Sequence, residues 1–321
     1  MNILVVGGTS FVGRHIVEEA MKRGHAVTLF NRGKSNPGLF SELPRIIGDR
    51  RQDANKLHGE KWDAVIDTSA YTPADLTPVL DNISTDHYTF ISTISVYDDF
   101  SKGSVTEEST LYDGIDGDEV NGKTYGPLKV KCEQILNDRI GEKAMIIRPG
   151  IVAGAHDPTD RFTYWALKLQ EQGTTVVPGE KSRKVQWIDA RDLAEFIVSN
   201  VENRTNGTYN LTANPVTMEE LVKTLASPEM KPVWVNDEAL SDAGISSFEI
   251  PFWMPVNEDY PEGFILADNS KAKDTGWQPR GLSETAQAVL LWKTGSVSKD
   301  LKTGISQEKE RKILAFSEEG R

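Results

Sequence analysis

Short apolar runs alternate with amphipathic segments through the first half of the chain. Continuous apolar runs are typical of strands buried on both faces, as in a parallel sheet that is covered by helices. The predicted strands are Ile3–Val6, Ala26–Phe30, Arg45–Ile47, Ala64–Asp67, Tyr88–Ser92 and Ala144–Arg148. The predicted helices between them are Gly13–Arg23, Pro73–Asn82 and one that contains Lys129–Leu136. This alternation predicts a doubly wound α/β domain over about residues 1–155.

After Pro149 the pattern is less regular, with an irregular stretch around Pro251, Pro255 and Pro261. The predicted elements are helices at Phe162–Gln172, Ala190–Val201, Met218–Ala226 and Leu282–Trp292, and strands at Val185–Ile188, Gly207–Leu211 and Val233–Val235. A tail at Ser306–Phe316 that mixes Lys and Glu is expected to be a solvated surface helix. We expect a smaller C-terminal α/β substrate lobe, mostly within residues 156–321, with segments near residues 185–211 returning to the first domain.

The composition argues against several classes of protein. The 321 residues contain 36 Lys and Arg against 48 Asp and Glu, which gives a formal net charge of −12, and one cysteine, Cys132. An acidic chain lacks the basic face that general nucleic-acid or anionic-membrane binding needs. A lone thiol forms no internal disulfide and suits a reducing compartment. Because no apolar run approaches ~20 residues and no signal-peptide pattern follows Met1, we expect a cytoplasmic protein that binds neither nucleic acid nor membrane.

A glycine-rich turn joins the first predicted strand to the first helix. Residues Gly7–Gly13 read GGTSFVG, which resembles a GxxGxxG spacing with Ser10 in the place of the middle glycine. Glycine lets a phosphate approach the main chain, and the helix that follows presents unpaired N–H groups to an anion. In this strand–turn–helix context the turn predicts a dinucleotide site. A tight turn without a ligand is the alternative.

The residues after the second strand favour a 2′-phosphate. A sheet that binds NAD usually carries an acidic residue there, to hold the ribose hydroxyl. Here the segment 31–34 reads Asn-Arg-Gly-Lys, and Arg32 and Lys34 can pair with a phosphate. NADP is therefore the predicted cofactor, with NAD as second choice, and ordinary surface charges are the alternative. Asp49 follows the third strand and can accept a hydrogen bond from the adenine amino group.

Tyr125 and Lys129 are four residues apart at the start of a predicted helix, which places them on one face. A tyrosine hydroxyl has a pKa near 10, and a neighbouring ammonium lowers that pKa. The pair can thus act as a general acid and base on an alcohol or carbonyl. Hydroxyl groups at the end of the fifth strand, on Ser92, Thr93 and Ser95, face the crevice where sheets of this kind bind ligands.

Taken together and in this order, the motifs resemble extended short-chain dehydrogenase/reductases, the NAD-dependent epimerase/dehydratase-like proteins. They are the glycine turn, STISVY at residues 92–97, YGPLK at 125–129, RPGIV at 148–152, VQWIDARDLA at 185–194 and YNL at 209–211. The resemblance spans nearly the whole chain and implies a Rossmann-type fold. It implies that Tyr125 and Lys129 are catalytic, that Thr93 assists them, and that the lysine also holds the nicotinamide ribose.

The candidate cofactor-binding residues lie on the glycine turn, at the strand ends and on the catalytic helix. They are Gly7, Thr9, Ser10, Phe11, Val12, Gly13, Asn31, Arg32, Lys34, Asp49, Thr68, Ser69, Ser92, Tyr125, Lys129, Pro149 and Ile151.

The chain also departs from the family pattern. Sugar-nucleotide dehydratases of the family carry Asp-Glu directly after the catalytic Thr, whereas this chain has Ile94 and Ser95, so a 4,6-dehydratase is not expected. The loop at residues 154–162 looks like a substrate-side loop, whose His156 and Arg161 either bind an anionic or hydroxylated substrate or fix the loop. Ser95 and Trp187 are further candidate substrate contacts, with core packing as the alternative for Trp187. No metal site is expected.

These observations predict an NAD(P)-dependent oxidoreductase or epimerase-like enzyme. It would transfer hydride at a hydroxyl or carbonyl carbon of a small molecule, such as a sugar or sugar nucleotide, with tyrosine as acid and base. The alternative is a non-catalytic NAD(P)-binding sensor or RNA-associated protein on the same fold. A homodimer remains open.

Overall fold

The computed structural model describes residues 1–296 and 300–319, with side chains described up to residue 315. Its strands are β1 (Asn2–Val6), β2 (Ala26–Asn31), β3 (Arg45–Ile47), β4 (Lys61–Trp62), β5 (Ala64–Asp67), β6 (Ser84–Thr85), β7 (Tyr88–Ile91), β8 (Ala144–Pro149), β9 (Val152–Ala153), β10 (Gly173–Pro178), β11 (Lys184–Val185), β12 (Ile188–Asp189), β13 (Gly207–Leu211), β14 (Val216–Thr217) and β15 (Met230–Val235). Its helices are α1 (Phe11–Lys22), α2 (Pro73–Asn82), α3 (Tyr125–Ile140), α4 (Arg161–Lys168), α5 (Ala190–Glu202), α6 (Met218–Leu225), α7 (Asp237–Asp242), α8 (Ser270–Lys273), α9 (Leu282–Thr294) and α10 (Gln307–Glu319).

A seven-stranded parallel sheet in the order β13-β8-β7-β5-β1-β2-β3 forms the centre of the fold. From β1 the chain builds the sheet outward through β2 and β3, and then crosses back to add β5, β7, β8 and β13 on the other side. The order therefore reverses between β1 and β5. Ligands of open α/β sheets bind at the carboxyl ends of the strands at such a reversal. The predicted Rossmann-type fold is confirmed.

Alternate residues of the central strand face opposite layers of helices. Ile3 and Val5 pack with α1 and α5, whereas Leu4 and Val6 pack with α2 and α3. Side chains of a strand point alternately to its two faces, so an all-apolar strand needs cover on both sides. Cys132 is buried in the second of these layers, as a packing residue.

The C-terminal half has its own apolar core. Helices α4, α6 and α9 and strands β10 and β15 contribute buried side chains to it. The division into two lobes near residue 155 stays a prediction. Within the described residues, no helix combines the length and apolar character that crossing a membrane requires.

Most predicted elements agree with the structure to within about two residues, and three differences matter. The predicted strand Val185–Ile188 is two short strands, β11 and β12, in different pairings. Helix α4 ends at Lys168 instead of Gln172, and the irregular stretch begins with the short helix α7. The tail helix is not fully solvated, because Ile313 of α10 is 3% exposed in the C-terminal core.

Candidate active site

The glycine turn brings β1 against α1 more closely than other residues permit. Gly7 and Gly8 have φ angles of +106° and +87°, in the region that favours glycine. A Cβ atom on Gly7 would overlap Thr68 Oγ1, and one on Gly13 would lie 2.9 Å from the backbone nitrogen of Gly8. The turn therefore has no room for a side chain at Gly7 or Gly13, where main-chain atoms form a cradle.

The first turn of α1 has hydrogen-bonding groups left over. Ser10 is the N-cap residue, and its exposed hydroxyl makes no capping hydrogen bond. Phe11 begins the helix two residues earlier than predicted, with a φ angle of +26°, and Val12 follows it half-buried. Thr9 is buried, and its carbonyl oxygen accepts a hydrogen bond of 2.7 Å from Asn36 Nδ2. The free N–H groups of the first turn suit an anion.

Asn31 at the end of β2 supports the turn. Its Nδ2 donates to the carbonyl oxygen of Gly7 at 2.7 Å, and its Oδ1 accepts from the backbone N–H of Gly33 at 3.0 Å. The neighbouring Arg32 and Lys34 are exposed. The two cations therefore lie at the rim of the glycine turn.

A buried ion pair that the sequence did not reveal lies beneath the predicted cofactor site. Arg50 pairs with Asp67 and also donates to Ser69 Oγ at 3.0 Å, while Tyr88 Oη donates to Asp67 at 2.9 Å. The Arg50 guanidinium holds the pKa of the Asp67 carboxyl below its usual range, although burial alone would raise it. These charges fix the loop after β5.

Two other predicted cofactor contacts are engaged within the chain. Thr68 Oγ1 donates to the carbonyl oxygen of Val6 at 2.9 Å. Asp49 is half-buried, and its Oδ1 accepts from the backbone N–H of Arg51 at 2.9 Å. Its other carboxylate oxygen leaves room for the predicted adenine contact. Pro149 is buried at the end of β8, and Ile151 is half-buried just beyond it.

Tyr125 and Lys129 occupy the first two turns of α3, close to the end of β7. A Cβ atom on Gly126 would overlap the carbonyl oxygen of Ser95, so α3 begins in direct contact with the segment that follows β7. Thr93 and Tyr125 are neighbours there. The Thr93 side chain is close enough to lower the pKa of the Tyr125 hydroxyl. The structure thus brings the three predicted catalytic side chains to one edge of the sheet.

The predicted effect of Lys129 on Tyr125 is wrong for this structure. Burial and the nearby Tyr71 raise the pKa of Tyr125 to about 12, and Thr93 and Arg161 act in the opposite direction. Lys129 is itself buried, which lowers the pKa of its ammonium group to about 8. Its Nζ donates to the carbonyl oxygens of Ala70 and Ile91, so its charge is directed at the sheet.

The three hydroxyl groups after β7 have different surroundings. Thr93 Oγ1 donates to Ser95 Oγ at 3.1 Å, and Ser95 is exposed. Ser92 is buried, and its Oγ donates to Glu133 Oε1 at 2.5 Å. The Ser92 hydroxyl is therefore turned into a buried network, and its contact with the cofactor stays a prediction.

That network is a second feature that the sequence did not reveal. Arg148 makes a paired contact with Glu133, at 3.1 Å and 2.6 Å, and donates to Tyr97 Oη at 2.9 Å. Tyr97 in turn donates to Asn210 Oδ1 at 2.7 Å. A bidentate guanidinium–carboxylate pair is rigid as well as strong. The network ties α3 to β8 and β13 beside the predicted catalytic residues.

The predicted substrate contacts separate in space. Arg161, the first residue of α4, lies over the Phe248 ring at 5.7 Å and is close enough to Tyr125 to lower its pKa. Arg161 therefore faces the site.

His156 lies on a different side, against α1 and α9. Its Nδ1 is 3.4 Å from Arg14 Nη1, and its ring lies 5.2 Å from that of Trp292. These contacts favour the reading in which His156 fixes the loop.

Trp187 is a core residue, which corrects the prediction of a substrate contact. It is 1% exposed, and its ring packs at 4.9 Å on Phe162 and at 6.4 Å on Phe252. Among the described residues, no group of three or more His, Cys, Asp and Glu side chains is arranged to hold a metal ion.

Comparison with protein families gives a match over most of the chain. A family model described as "NAD dependent epimerase/dehydratase family" matches residues 3–212. This range runs from β1 to just beyond β13, so it contains the whole central sheet.

Individual relatives are more distant. The chain is 25% identical over 305 residues to the chloroplast stem-loop binding protein of 41 kDa b of Arabidopsis thaliana, covering 86% of this chain and 75% of that one. It is 22% identical over 337 residues to a UDP-glucose 4-epimerase of Lactobacillus helveticus, covering 91% and 96%. Among solved structures, UDP-glucuronic acid 4-epimerase from Bacillus cereus in complex with NAD matches with a TM-score of 0.66 at 18% identity, covering 94% of this chain and 100% of that one.

Proposed function

The chain belongs to the NAD-dependent epimerase/dehydratase family, and on that premise we propose that it is an NAD(P)-dependent oxidoreductase or epimerase. Its substrate would be a small molecule that carries a hydroxyl or carbonyl group, such as a sugar or sugar nucleotide. The observation that carries the proposal is the meeting of Thr93, Tyr125 and Lys129 at the sheet edge that also holds the glycine turn.

The glycine turn fits the phosphates of a dinucleotide. Its main-chain cradle has no room for a side chain at Gly7 or Gly13, and the first turn of α1 offers unpaired N–H groups beside the free hydroxyl of Ser10. Lys129 uses two of its three ammonium hydrogens on carbonyl oxygens, which leaves one for a ribose hydroxyl. When bound, the nicotinamide ring supplies the hydride acceptor or donor.

Tyr125 is the proposed proton donor and acceptor. Its phenol Oη would take the proton from a substrate hydroxyl during oxidation, or return it to a carbonyl oxygen during reduction. The Thr93 hydroxyl would hold the same oxygen in place. Because the pKa of Tyr125 is about 12 here, the proposal requires that pKa to fall when the ligands bind. Arg161 already acts in that direction and would also contact an anionic group of the substrate.

NADP is the cofactor that we propose over NAD. Arg32 and Lys34 are exposed beside the glycine turn, and the Asn31 amide is occupied within the chain. Support for NAD comes from the family description and from the NAD that the Bacillus cereus epimerase binds. We also propose that Gly7, Thr9, Phe11, Val12, Gly13, Asp49, Thr68, Ser69, Pro149 and Ile151 line the cofactor, and that Ser95 contacts the substrate.

The RNA-associated alternative has one supporting observation, which is the name of the Arabidopsis relative, a stem-loop binding protein. The net charge of −12 opposes it, because RNA binding is driven by Lys and Arg contacts with phosphates. We therefore prefer the enzyme.

A cofactor titration and a substrate screen test the proposal. NADPH or NADH should bind, and a panel of carbonyl compounds and nucleotide sugars should include a substrate. Net NADPH consumption would indicate a reductase, and sugar interconversion without it an epimerase. Tyr125→Phe should reduce turnover by roughly 10²–10⁴-fold while leaving cofactor affinity unchanged. Full activity of Tyr125→Phe, or tight binding of a stem-loop RNA without any nicotinamide binding, would overturn it.

A further inference from the structure

Lys129 is anchored to the ends of two strands of the sheet. It is 4% exposed, and its Nζ donates to the carbonyl oxygens of Ala70 and Ile91, at 2.7 Å each. Ala70 lies in the loop after β5, and Ile91 is the last residue of β7. The Phe90 ring, 4.6 Å away, covers a further side of the ammonium group.

Tyr71 contacts both members of the predicted acid/base pair. Its ring centroid lies 5.1 Å from Lys129 Nζ, and 6.2 Å from the ring centroid of Tyr125 with the planes tilted by 41°. A cation over an aromatic face is attracted by the ring. The ring of Tyr71 therefore helps to retain the ammonium group at the strand ends, on its own side of Tyr125.

The main chain of Tyr71 is held in place by a hydrogen bond, whereas its ring is partly exposed to solvent. The backbone N–H donates to Asp75 Oδ2 at 3.0 Å, beside the Thr72–Asp75 capping box that starts α2. The residue is nevertheless 48% exposed, unlike the aromatic residues of the core. Exposed side chains change rotamer within nanoseconds. The ring can thus leave the cleft without any movement of α2.

The charges around the pair fit this arrangement. The groups that act on Lys129 are Cys132 and Glu133 on α3, Asp67 on β5 and Arg50 in the loop after β3, whereas those that act on Tyr125 are Tyr71, Thr93 and Arg161. Lys129 and Tyr125, although one helical turn apart, therefore have separate electrostatic surroundings while Tyr71 is in place.

Resting on the proposed function, we propose that Tyr71 is a positioning residue whose ring keeps Lys129 at the sheet and away from Tyr125. The nicotinamide end of the cofactor would displace the ring from the cleft. Lys129 would then be free to turn toward the ribose and Tyr125. The pair that performs the proton transfer would thus assemble only in the cofactor complex.

Ionisation of Tyr125 in the ligand-free protein tests this proposal without a substrate. Tyrosinate absorbance is titrated for each protein and for the same protein with Tyr125→Phe, so that the difference isolates one of the eight tyrosines. Tyr71→Phe removes the phenol but keeps the ring, whereas Tyr71→Leu removes the ring. We expect Tyr71→Leu to lower the pKa of Tyr125 at least about one unit further than Tyr71→Phe does.

A variant without Lys129 distinguishes movement of the ammonium group toward Tyr125 from simple hydration of Tyr125 when the Tyr71 ring is removed. In a Lys129→Met background the extra decrease caused by Tyr71→Leu should disappear, because no ammonium is left to approach Tyr125. Tyr112→Leu, which removes another exposed tyrosine beside α3, should leave the pKa of Tyr125 unchanged. Equal effects of Tyr71→Leu and Tyr71→Phe, or the same extra decrease without Lys129, would overturn the proposal.

If Lys129→Met does not fold, Lys129→Gln provides the same background, because it also lacks the ammonium group. A second measurement uses NADPH, whose affinity should rise severalfold in Tyr71→Leu because no ring has to be displaced. If wild-type protein binds neither NADPH nor NADH, the proposed function fails. The Tyr125 titration still decides whether Tyr71 holds Lys129 away.

Discussion

Asn31 lies near the position at which a sheet that binds NAD usually carries a carboxylate for the ribose. Its side chain has a structural role instead. Its amide bridges Gly7 and Gly33, so both ends of the side chain are occupied. Arg32 and Lys34 on either side of Gly33 project from a loop that this amide holds in place. At the scale of single residues, the proposed preference for NADP therefore rests on two cations.

Removal of these cations is expected to affect one cofactor selectively. The double variant Arg32→Ala/Lys34→Ala should weaken NADPH binding by about 10–100-fold, which corresponds to about 1.4–2.7 kcal/mol for the loss of two solvent-screened contacts with one phosphate. NADH affinity should change by less than about twofold. Fluorescence titration with both cofactors measures the difference.

Lys102→Ala is the matched control, because that lysine side chain is 90% exposed and belongs to none of the proposed sites. It should change neither affinity. An equal loss for NADPH and NADH in the double variant would contradict a 2′-phosphate site.

Some residues of the candidate site could be predicted from the sequence, and others could not. Tyr125 and Lys129 are predicted from their spacing and Thr93 from the family resemblance, and the structure brings them together. Glu133 and Arg148 were not paired in advance, because 15 residues and a strand separate them and only the folded chain joins them. Tyr71 gave no signal either, since a tyrosine in a loop has no periodic pattern. Contacts between distant segments account for these omissions.

At the scale of elements, the glycine turn provides a test of backbone geometry. Gly7→Ala adds a methyl group at a φ of +106°, where it would also overlap Thr68 Oγ1. We expect a loss of at least about 1 kcal/mol in the free energy of unfolding. Cofactor affinity should fall as well, because the main-chain cradle is distorted. Urea unfolding and cofactor titration measure the two effects.

Gly24→Ala separates strain from overlap. Gly24 has a similar φ of +81°, but a methyl group there would meet no atom within 4 Å. It should therefore lose stability and retain cofactor affinity. Similar affinity losses in both variants would show that the turn after β1 has no special role.

Elements with local signals were predicted well. The helix predicted at Met218–Ala226 is α6, which begins with a capping box between Thr217 and Glu220. The strand predicted at residues 185–188 failed for a tertiary reason. Gln186 Nε2 donates to the carbonyl oxygens of Ala213 and Ala267, and its Oε1 accepts from the backbone N–H of Ala267. A side chain thus provides the link that a continuous strand would have made with its backbone.

At the scale of the whole molecule, the C-terminal segment is part of the fold. Glu310 of α10 accepts a hydrogen bond from the backbone N–H of Val176 and pairs with Lys168 of α4 at 2.8 Å. The backbone N–H of Lys302 donates to Asp160 Oδ2 at 3.2 Å. These contacts hold α4, whose first residue is Arg161. The mixed Lys and Glu pattern did not indicate this role, because a sequence does not distinguish a buried glutamate from an exposed one.

Glu310→Gln should therefore destabilise the protein. The change removes a buried charge partner from Lys168, and we expect a loss of roughly 1–3 kcal/mol in the free energy of unfolding. Glu308→Gln is the control, because its side chain is 78% exposed and pairs only within α10. That variant should differ from wild type by less than about 0.5 kcal/mol in urea unfolding. Equal losses of stability in the two variants would instead support the prediction of a solvated surface helix.

The pH dependence of stability is also a property of the whole molecule, and His87 makes a defined contribution to it. The side chain is 1% exposed, with Nε2 at 3.1 Å from Thr89 Oγ1. Burial, with a smaller effect of Arg204, lowers the pKa of His87 to about 4, from 6.5 in the unfolded chain. Folding therefore favours the neutral ring. The stabilisation is complete above about pH 6.5 and is lost as the pH falls toward 4.

The size of this loss follows from the shift in pKa. At about 1.36 kcal/mol per unit, the difference between 6.5 and about 4 corresponds to roughly 3 kcal/mol between neutral and acidic conditions. His87→Gln, which cannot gain a proton, should flatten that part of the curve of unfolding free energy against pH. His58→Gln, at an exposed position, should leave it unchanged. If His87→Gln loses stability on acidification as steeply as wild type, the acid sensitivity arises from the carboxylate pairs, such as Arg50 with Asp67, instead of from this histidine.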